Sequence, residues 1–159
     1  MKRKKLIYLN LRRAKPNESD VLNFIAFESE SIWGEDESYM DLFSQEYKVT
    51  KNMIENDYVY VMEDDKGIIG FFAILKKDNE TSELELFYIK KSFIGKGYGT
   101  LLWTNMISIC KEKGIRKIGL VGSSDVANFY KKLGAKEIGE MKSLLKVGRI
   151  VSKFEYKIV

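Results

Sequence analysis

Three glycines at alternate positions, Gly95, Gly97 and Gly99, constrain this chain more than any other feature of its sequence. An apolar stretch at residues 85–89 precedes them, and an amphipathic pattern begins directly after them. This order predicts a β-strand, a glycine-rich loop and the first turn of a helix. Glycines allow close backbone approach, and the free N–H groups of a first helical turn attract anions. The segment therefore predicts a phosphate-binding site, with a merely tight strand-to-helix connection as the alternative.

Two common phosphate-binding motifs do not fit this loop. A P-loop requires Gly-Lys followed by Ser or Thr, and no glycine of the chain is followed in that way. The dinucleotide fingerprint Gly-x-Gly-x-x-Gly would need a glycine where Thr100 or Leu102 stands. The loop also follows an antiparallel meander and does not open a first βαβ unit. It therefore belongs to neither class.

The rest of the pattern predicts an α/β (α+β) fold in three layers, with a mixed, mostly antiparallel sheet flanked by helices. Strands are predicted at residues 6–11, 58–62, 68–75, 83–89 and 117–121, near Ile138, and at 151–159. Helices are predicted from residue 17 or 19, in parts of 42–55, at 98–110 and at 126–133, whereas 28–41 is acidic and irregular. We expect one domain over residues 1–159.

The composition excludes several kinds of site. The chain has no histidine and one cysteine, Cys110, so Ser-His-Asp triads, His-based zinc sites and internal disulfides are excluded, and we predict no metal. Cys110 lies on the apolar stripe of a predicted helix, which is typical of a packing residue and not of a nucleophile. No apolar run approaches the ~18 residues of a membrane span, so we expect a cytoplasmic protein that does not bind membranes.

The charge balance gives weak indications of partners. The 27 Lys+Arg and 23 Asp+Glu leave a net charge of +4, which permits anion binding without demanding nucleic acid. Lys2 to Lys5 with Arg12 and Arg13 are a candidate nucleic-acid arm, but no aromatic platform accompanies them, so we predict no nucleic-acid partner. Residues 152–159 are a candidate edge strand for pairing with a second copy, which makes a homodimer possible.

Two motifs resemble those of a known family. Residues 94–99, Ile-Gly-Lys-Gly-Tyr-Gly, resemble the acetyl-CoA loop of the GNAT superfamily of N-acetyltransferases, and residues 86–89 resemble the strand before it. Residues 128–135, Asn-Phe-Tyr-Lys-Lys-Leu-Gly-Ala, resemble the family's second hallmark motif, a helix end of the pattern Phe-Tyr-x-x-x-Gly-Phe/Ala. Ile94 departs from the usual Arg or Gln, and Ser123 stands where the family often has Asn.

The resemblance implies a GNAT-like fold and an acetyl-CoA-dependent N-acetyltransferase that transfers an acetyl group directly to a primary amine of a small molecule or protein. The cofactor-binding residues that it implies are Phe87, Tyr88, Ile89, Ile94, Gly95, Lys96, Gly97, Tyr98, Gly99, Thr100, Ser123, Asn128 and Phe129. The alternative is a non-catalytic module that binds or senses CoA.

Without histidine, carboxylates and tyrosines are the candidates for removing the proton of an amine. Glu83 and Glu85 alternate onto one face of the predicted strand, in line with Phe87 and Ile89. The resemblance places the base at Glu83 or Glu85, although each is equally well explained as a solvent-facing strand residue. It also implies that the Phe87 N–H stabilises the oxyanion and that Tyr130 is the general acid. A core aromatic is the alternative for Tyr130.

The region before residue 58 offers candidates for the acceptor side. Trp33, Tyr39 and Phe43 either border the acceptor site or belong to the core. The acidic residues of this region are Glu28, Glu30, Glu35, Asp36, Glu37 and Asp41. They either attract a cationic amine or form a solvated surface, and we favour the surface.

Overall fold

The computed structural model describes residues 9–78 and 80–159, which form a seven-stranded sheet with helices on both faces. The strands are β1 (Asn10–Arg13), β2 (Tyr58–Asp64), β3 (Gly67–Lys76), β4 (Thr81–Ile89), β5 (Lys117–Gly122), β6 (Lys136–Lys142) and β7 (Ile150–Lys157). The helices are α1 (Ser19–Glu30), α2 (Glu37–Glu46), α3 (Lys51–Asn56), α4 (Tyr98–Glu112) and α5 (Ser124–Lys132). The predicted three-layer α/β fold is confirmed.

The sheet has the order β1-β2-β3-β4-β5-β7-β6, and only β4 and β5 run parallel. These two strands share three register pairs, of which the last joins Glu83 and Gly119. Beyond that pair β4 continues to Ile89 without a neighbour on the β5 side among the described residues. The sheet is therefore split at its middle, and the split opens toward the loop that carries the three glycines.

Two hydrophobic clusters occupy the two faces of the sheet. The cluster under α4 and α5 includes Leu102, Met106, Ile118, Tyr130 and Phe154. The cluster under α1 and α2 includes Leu22, Ile25, Phe43, Phe71 and Leu86. Since β4 contributes side chains to both clusters, it lies at the centre of the packing as well as beside the split.

The region before β2 is more regular than the sequence predicts. Residues 28–41 were expected to be irregular, yet α1 runs through Glu30 and α2 begins at Glu37. The expectation is wrong because a side chain supplies the start signal: Asp36 accepts a hydrogen bond of 2.9 Å from the Tyr39 N–H and caps α2. The predicted strand at 6–11 is described only from residue 9, where the observed strand is Asn10–Arg13. Of the candidate nucleic-acid arm, residues 2–5 lie outside the described residues, whereas Arg12 and Arg13 belong to β1.

The last strand is not an edge. Residues 152–159 were expected to offer a free edge to a second copy, but β7 pairs with β5 on one side and with β6 on the other. The expectation is wrong because the chain inserts its last strand between two earlier ones. The edges of the described sheet are β1 and β6. None of the described helices is both long and apolar enough to cross a bilayer.

An ion-pair cluster joins the first strand to the turn after it and to β2. The Arg12 guanidinium donates two hydrogen bonds to the Glu18 carboxylate, at 2.9 and 2.8 Å, and two to Glu63 of β2, at 2.9 and 3.1 Å. These hydrogen bonds are the largest cause of the lowered pKa values of Glu18 and Glu63. Paired forks of this kind are stronger than ordinary surface ion pairs.

We predict that the protein loses stability in acid because the carboxylates of this cluster become protonated. A carboxylate with a lowered folded-state pKa stabilises the fold above its ordinary pKa of 4.5, and that contribution is lost as the pH falls through the lowered value. Glu18→Gln should lower the free energy of unfolding by about 1 kcal/mol at pH 7 and flatten its decline below pH 4.5, as measured by urea denaturation. Glu55→Gln, an exposed change, is the control. If the free energy of unfolding of Glu18→Gln declined below pH 4.5 as steeply as that of the wild type, this account would be contradicted.

Candidate active site

A cleft of about 370 Å³ opens where β4 separates from β5. Its walls come from β4, the glycine loop, the start of α5, the α1–α2 region and the loop between β6 and β7. The predicted site residues that line it are Glu85, Phe87, Tyr88, Ile89, Ile94, Gly95, Gly99, Ser123, Phe129 and Tyr130. The split of the sheet thus brings together segments that are far apart in the sequence.

The glycine loop presents the amino end of α4 to this cleft. Gly95 and Gly97 have φ angles of +81° and +87°, a conformation that side chains rarely adopt. The first helical hydrogen bond runs from the Leu101 N–H to the Gly97 carbonyl, at 3.3 Å. The amides of residues 98–100 therefore have no partner inside the helix, and together with the helix dipole they suit an anion.

Gly99 allows α4 and α5 to meet at the edge of the cleft. A Cβ at this position would lie 3.2 Å from the Phe129 ring and 4.0 Å from Ile89. The third glycine therefore relieves crowding between two elements, whereas the first two allow a backbone conformation that side chains rarely adopt.

A β-bulge in β4 lies beside the cleft at Glu85. Across the β3–β4 ladder Ala73 pairs with Leu86 and Ile74 pairs with Leu84, which leaves Glu85 without a partner. One extra residue in a strand shifts which face the following side chains occupy. Leu84 accordingly packs in the cluster under α4 and α5, while Leu86 packs in the opposite cluster.

The bulge corrects the predicted arrangement of the two glutamates. Phe87 and Ile89 pack toward α4 and α5, whereas Glu85 lines the cleft together with Tyr47, which packs against the α1–α2 cluster. Glu83 precedes the bulge and lies over Gly119 of β5, outside the cleft lining. The expectation that both glutamates share a face with Phe87 and Ile89 is wrong because simple alternation fails at the extra residue.

The backbone N–H of Phe87 points away from β3. Lys90 donates to the Ile69 carbonyl at 2.7 Å, so these two residues form a hydrogen-bonded pair of the antiparallel ladder. Such pairs alternate with non-hydrogen-bonded ones, and the Phe72–Phe87 pair is of the second kind. Since β5 has already separated at Glu83, the Phe87 amide faces the gap between the strands.

Burial changes the proton affinity of two groups in the cleft. It is the largest cause of the raised pKa of Glu85, to which the negative charge of Glu83 adds, while Lys77 acts in the opposite direction. Burial also raises the pKa of Tyr130, followed by the charge of Glu30. A carboxylate with a raised pKa is a better base near neutral pH, and a tyrosine with a raised pKa keeps its proton.

Tyr130 combines a packed ring with an open hydroxyl. The ring contacts Phe87 and Trp103 at centroid distances of 6.4 and 5.9 Å. The residue is 9% exposed, and its hydroxyl has no hydrogen-bond partner within the described part of the chain. No fully buried polar side-chain atom there lacks a partner, so the Tyr130 oxygen is open to the cleft it lines. The ring of Tyr130 is therefore a core aromatic, while its hydroxyl has the position that a general acid would need.

Several predicted site residues lie outside the cleft lining. They are Glu83, Lys96, Gly97, Tyr98, Thr100 and Asn128. Asn128 is exposed on α5, and Tyr98 packs its ring edge-on against Phe93 at 5.4 Å.

Among the described residues no group of three or more Cys, Asp or Glu side chains is arranged to hold a metal ion. Burial raises the pKa of the Cys110 thiol to about 12.

The sequence interpretation named Glu30 as a candidate for attracting a cationic amine but favoured a solvated surface, whereas Glu30 lines the cleft. The Tyr39 hydroxyl donates to one carboxylate oxygen of Glu30 at 2.8 Å, and the Tyr88 hydroxyl donates to the other at 2.9 Å. Glu30 follows the buried Ala26 by one helical turn, so the period of α1 held a signal that this glutamate faces inward. The interpretation of the acidic run as solvated surface is wrong for Glu30.

The sequence interpretation missed the loop between β6 and β7, which lines the cleft with Leu144, Leu145 and Arg149. Arg149 donates to the Glu35 carboxylate, and Lys146 lies 3.7 Å from it. Glu35 is therefore the second exception to the solvated surface. No local sequence signal could have found this pair, because 114 positions separate Glu35 from Arg149. Trp33, Tyr39 and Phe43 line the cleft, and Tyr39 and Phe43 also belong to the core.

The model of the acetyltransferase (GNAT) family matches residues 21–135, which is more than half of the chain. The chain belongs to this family. Solved structures show the same fold. PaiA N-acetyltransferase from Thermoplasma acidophilum, crystallised with coenzyme A, is 23% identical with a TM-score of 0.78, and the match covers 95% of this chain and 99% of that one.

Two further structures agree with this. Ard1 from Thermoplasma volcanium is 18% identical with a TM-score of 0.71, over 95% of this chain and 98% of that one. IAA acetyltransferase from Bacillus cereus is 16% identical with a TM-score of 0.66, over 94% and 99%. A comparison with curated protein sequences found no significant match. The predicted family and the prediction of an N-acetyltransferase enzyme are confirmed.

We predict that Gly99→Ala destabilises the protein through its contact with Phe129. The added methyl would lie 3.2 Å from the ring, which is held by the packing of Phe129 against Phe87 and Tyr130. We expect this crowding to outweigh the helix propensity that Ala gains over Gly and to leave a net loss of about 1 kcal/mol. Urea denaturation measures the loss. Gly139→Ala, where no atom lies within 4 Å of the new Cβ, is the matched control. Combining Gly99→Ala with Phe129→Leu should recover part of the loss, and a purely additive double variant would contradict the proposed contact.

Proposed function

We propose that this protein uses acetyl-CoA to acetylate a primary amine by direct transfer within the cleft. Membership of the GNAT acetyltransferase family supports acetyl transfer, and one similar structure was crystallised with coenzyme A. The observation that carries the proposal is the Phe87 amide, which faces the gap between β4 and β5 beside the amino end of α4. This arrangement offers an oxyanion donor and a diphosphate site on one continuous segment.

The residues of the glycine loop fit the diphosphate of CoA. The amides of residues 98–100 would bind its oxygens, Gly95 and Gly97 give the loop its shape, and Lys96 adds positive charge. The gap beside Phe87 and Ile89 would hold the pantetheine arm through backbone groups that β5 leaves unpaired. When bound there, the nucleotide supplies an activated acetyl thioester.

Three groups of the chain then have distinct tasks. Glu85 accepts the proton of the acceptor ammonium, directly or through water, so that the neutral amine attacks the thioester carbonyl. The Phe87 N–H donates a hydrogen bond to the oxygen of that carbonyl as negative charge develops on it. Tyr130 donates its proton to the departing sulfur as the C–S bond breaks. The proton that the new amide nitrogen still has to lose passes to the Tyr130 phenolate, and Glu85 releases its proton to solvent, so that both groups are restored. Glu83 acts on this chemistry only through its charge, since it lies outside the cleft lining.

Binding and turnover test the proposal separately. Isothermal calorimetry with acetyl-CoA should detect binding to the purified protein, and incubation with a panel of primary amines should release free CoA thiol. Binding without release for any amine would favour the non-catalytic CoA-binding module. Absence of binding by the folded protein would refute both functions.

We predict that Tyr130→Phe lowers kcat by about 100-fold, because it removes the proton donor without disturbing the packed ring. The affinity for CoA should stay unchanged in calorimetry, since the diphosphate site does not involve this hydroxyl. Tyr156→Phe, on β7 outside the cleft lining, is the control. Unchanged kcat in Tyr130→Phe would leave the residue with a core role only.

We predict that Glu85→Gln removes from the pH profile of kcat/KM the step that reports ionisation of the Glu85 carboxylate. Only the ionised carboxylate accepts a proton, so the ratio of wild-type to Glu85→Gln kcat/KM should rise with pH through the pKa of Glu85. Because burial raises this pKa, the rise should lie above the ordinary value of 4.5. Taking the ratio cancels the titration of the amine itself.

Glu83→Gln gives a matched control with its own expected result. The charge of Glu83 raises the pKa of Glu85, so its removal should move the same rise to lower pH and leave the maximal rate intact. A ratio that does not change with pH would exclude Glu85 as the base.

A further inference from the structure

We propose that the amine acceptor carries a second positive charge and that the Glu30 carboxylate binds it. This inference rests on the proposed N-acetyl transfer and names the class of acceptor: a diammonium compound with an aliphatic spacer. It depends on the position of Glu30 in the cleft, on the charges around it and on the wall between Glu30 and Glu85.

The hydrogen bonds of Glu30 fix its carboxylate at the cleft wall. Both of its oxygens act as acceptors, one from the Tyr39 hydroxyl and one from the Tyr88 hydroxyl, which is the pattern of an ionised group. Each oxygen retains a further lone pair for a ligand. A carboxylate held by two packed tyrosines is ordered before a ligand arrives, so it loses little side-chain freedom on binding.

No cation among the described residues forms an ion pair with Glu30, although the Arg149 guanidinium lies 5.7 Å from the centre of the Tyr39 ring. The salt bridges among the described residues do not include it. Two cations line the cleft: Arg149 is paired with Glu35, and Lys142 is exposed on β6. A partly buried carboxylate without a cation attracts a positively charged ligand more strongly than one in bulk water.

Aromatic side chains connect Glu30 with Glu85. Tyr88, which holds Glu30, meets Phe43 edge-on at 5.9 Å, and Phe43 stacks on Tyr47 at 5.7 Å. Tyr47 lines the same cleft as Glu85 and Glu30, so this ring belongs to the wall that the two carboxylates share. A methylene chain packs well against such a wall, and an ammonium group is attracted to the faces of its rings.

The two carboxylates therefore suit two different nitrogens. Glu85, at the bulge beside the Phe87 amide, takes the proton from the amine that reacts. Glu30, at the other end of the aromatic wall, binds the ammonium that does not react. A monoamine of the same length would leave Glu30 without a counter-charge, and its binding would lose a charge-assisted hydrogen bond.

The test compares α,ω-diaminoalkanes of three to eight carbons with n-alkylamines of equal length, using release of CoA thiol from acetyl-CoA. For at least one length, kcat/KM of the wild type should be about tenfold to hundredfold higher for the diamine. Glu30→Gln should lower kcat/KM for that diamine by a similar factor, mainly through KM, and leave the monoamine unchanged. Asp41→Asn, which removes an exposed charge from α2, is the control and should not change either substrate.

The outcomes separate this inference from the proposed function. Equal kcat/KM for diamines and monoamines in the wild type would overturn the inference and leave N-acetyl transfer standing. A Glu30→Gln variant that keeps the diamine preference would also overturn it, and unchanged acetyl-CoA affinity in calorimetry would show that this variant is folded. If no amine releases thiol, the proposed function itself fails.

Discussion

The separation of β4 from β5 is the constraint on which the rest of the site depends. The two strands pair only as far as Glu83 and Gly119, and β5 then follows β7 along its length. At the same level β4 acquires an extra residue at Glu85, and bulges bend and twist the strand that carries them. A buried strand normally has its N–H groups paired on both sides. Here the amide of Phe87 is left facing a cleft, and in the proposed mechanism it has a chemical role that regular pairing would remove.

The bulge also divides the cleft into two halves with different chemistry. After it, Phe87 and Ile89 pack toward α4 and α5, and this side leads to the glycine loop and its free amides. Tyr88 points to the other side, where its hydroxyl reaches the Glu30 carboxylate. One strand therefore connects a half suited to an anion with a half suited to a cation. In the proposed reaction the first half would hold the nucleotide and the second the acceptor.

The sequence was most informative where the function depends on local structure. The glycine loop and Tyr130 were found from motifs a few residues long, and Gly95, Gly99 and Tyr130 line the cleft. The faces of Glu83 and Glu85 were wrong because alternation cannot reveal where an extra residue is inserted. The period of α1 indicates that Glu30 faces inward, but its hydrogen bond with Tyr88, 58 positions away, could not be foreseen because only the fold brings that strand near. Helices and strands can be predicted from the spacing of apolar residues along the chain, whereas this hydrogen bond depends on which strands the fold brings together.

In this chain without histidine, the carboxylate and the tyrosine proposed for acid–base chemistry have ordinary pKa values far from neutrality. Burial offers one solution, because it disfavours the charged form of every acid. It raises the pKa of Glu85, which brings a weak base closer to neutral pH, and it raises the pKa of Tyr130, which keeps an acid protonated until a strong base arises beside it. In the proposed mechanism the leaving thiolate is that base. The same apolar packing that stabilises the two faces of β4 would thus set both proton donor and proton acceptor, so that the core and the chemistry cannot be altered independently.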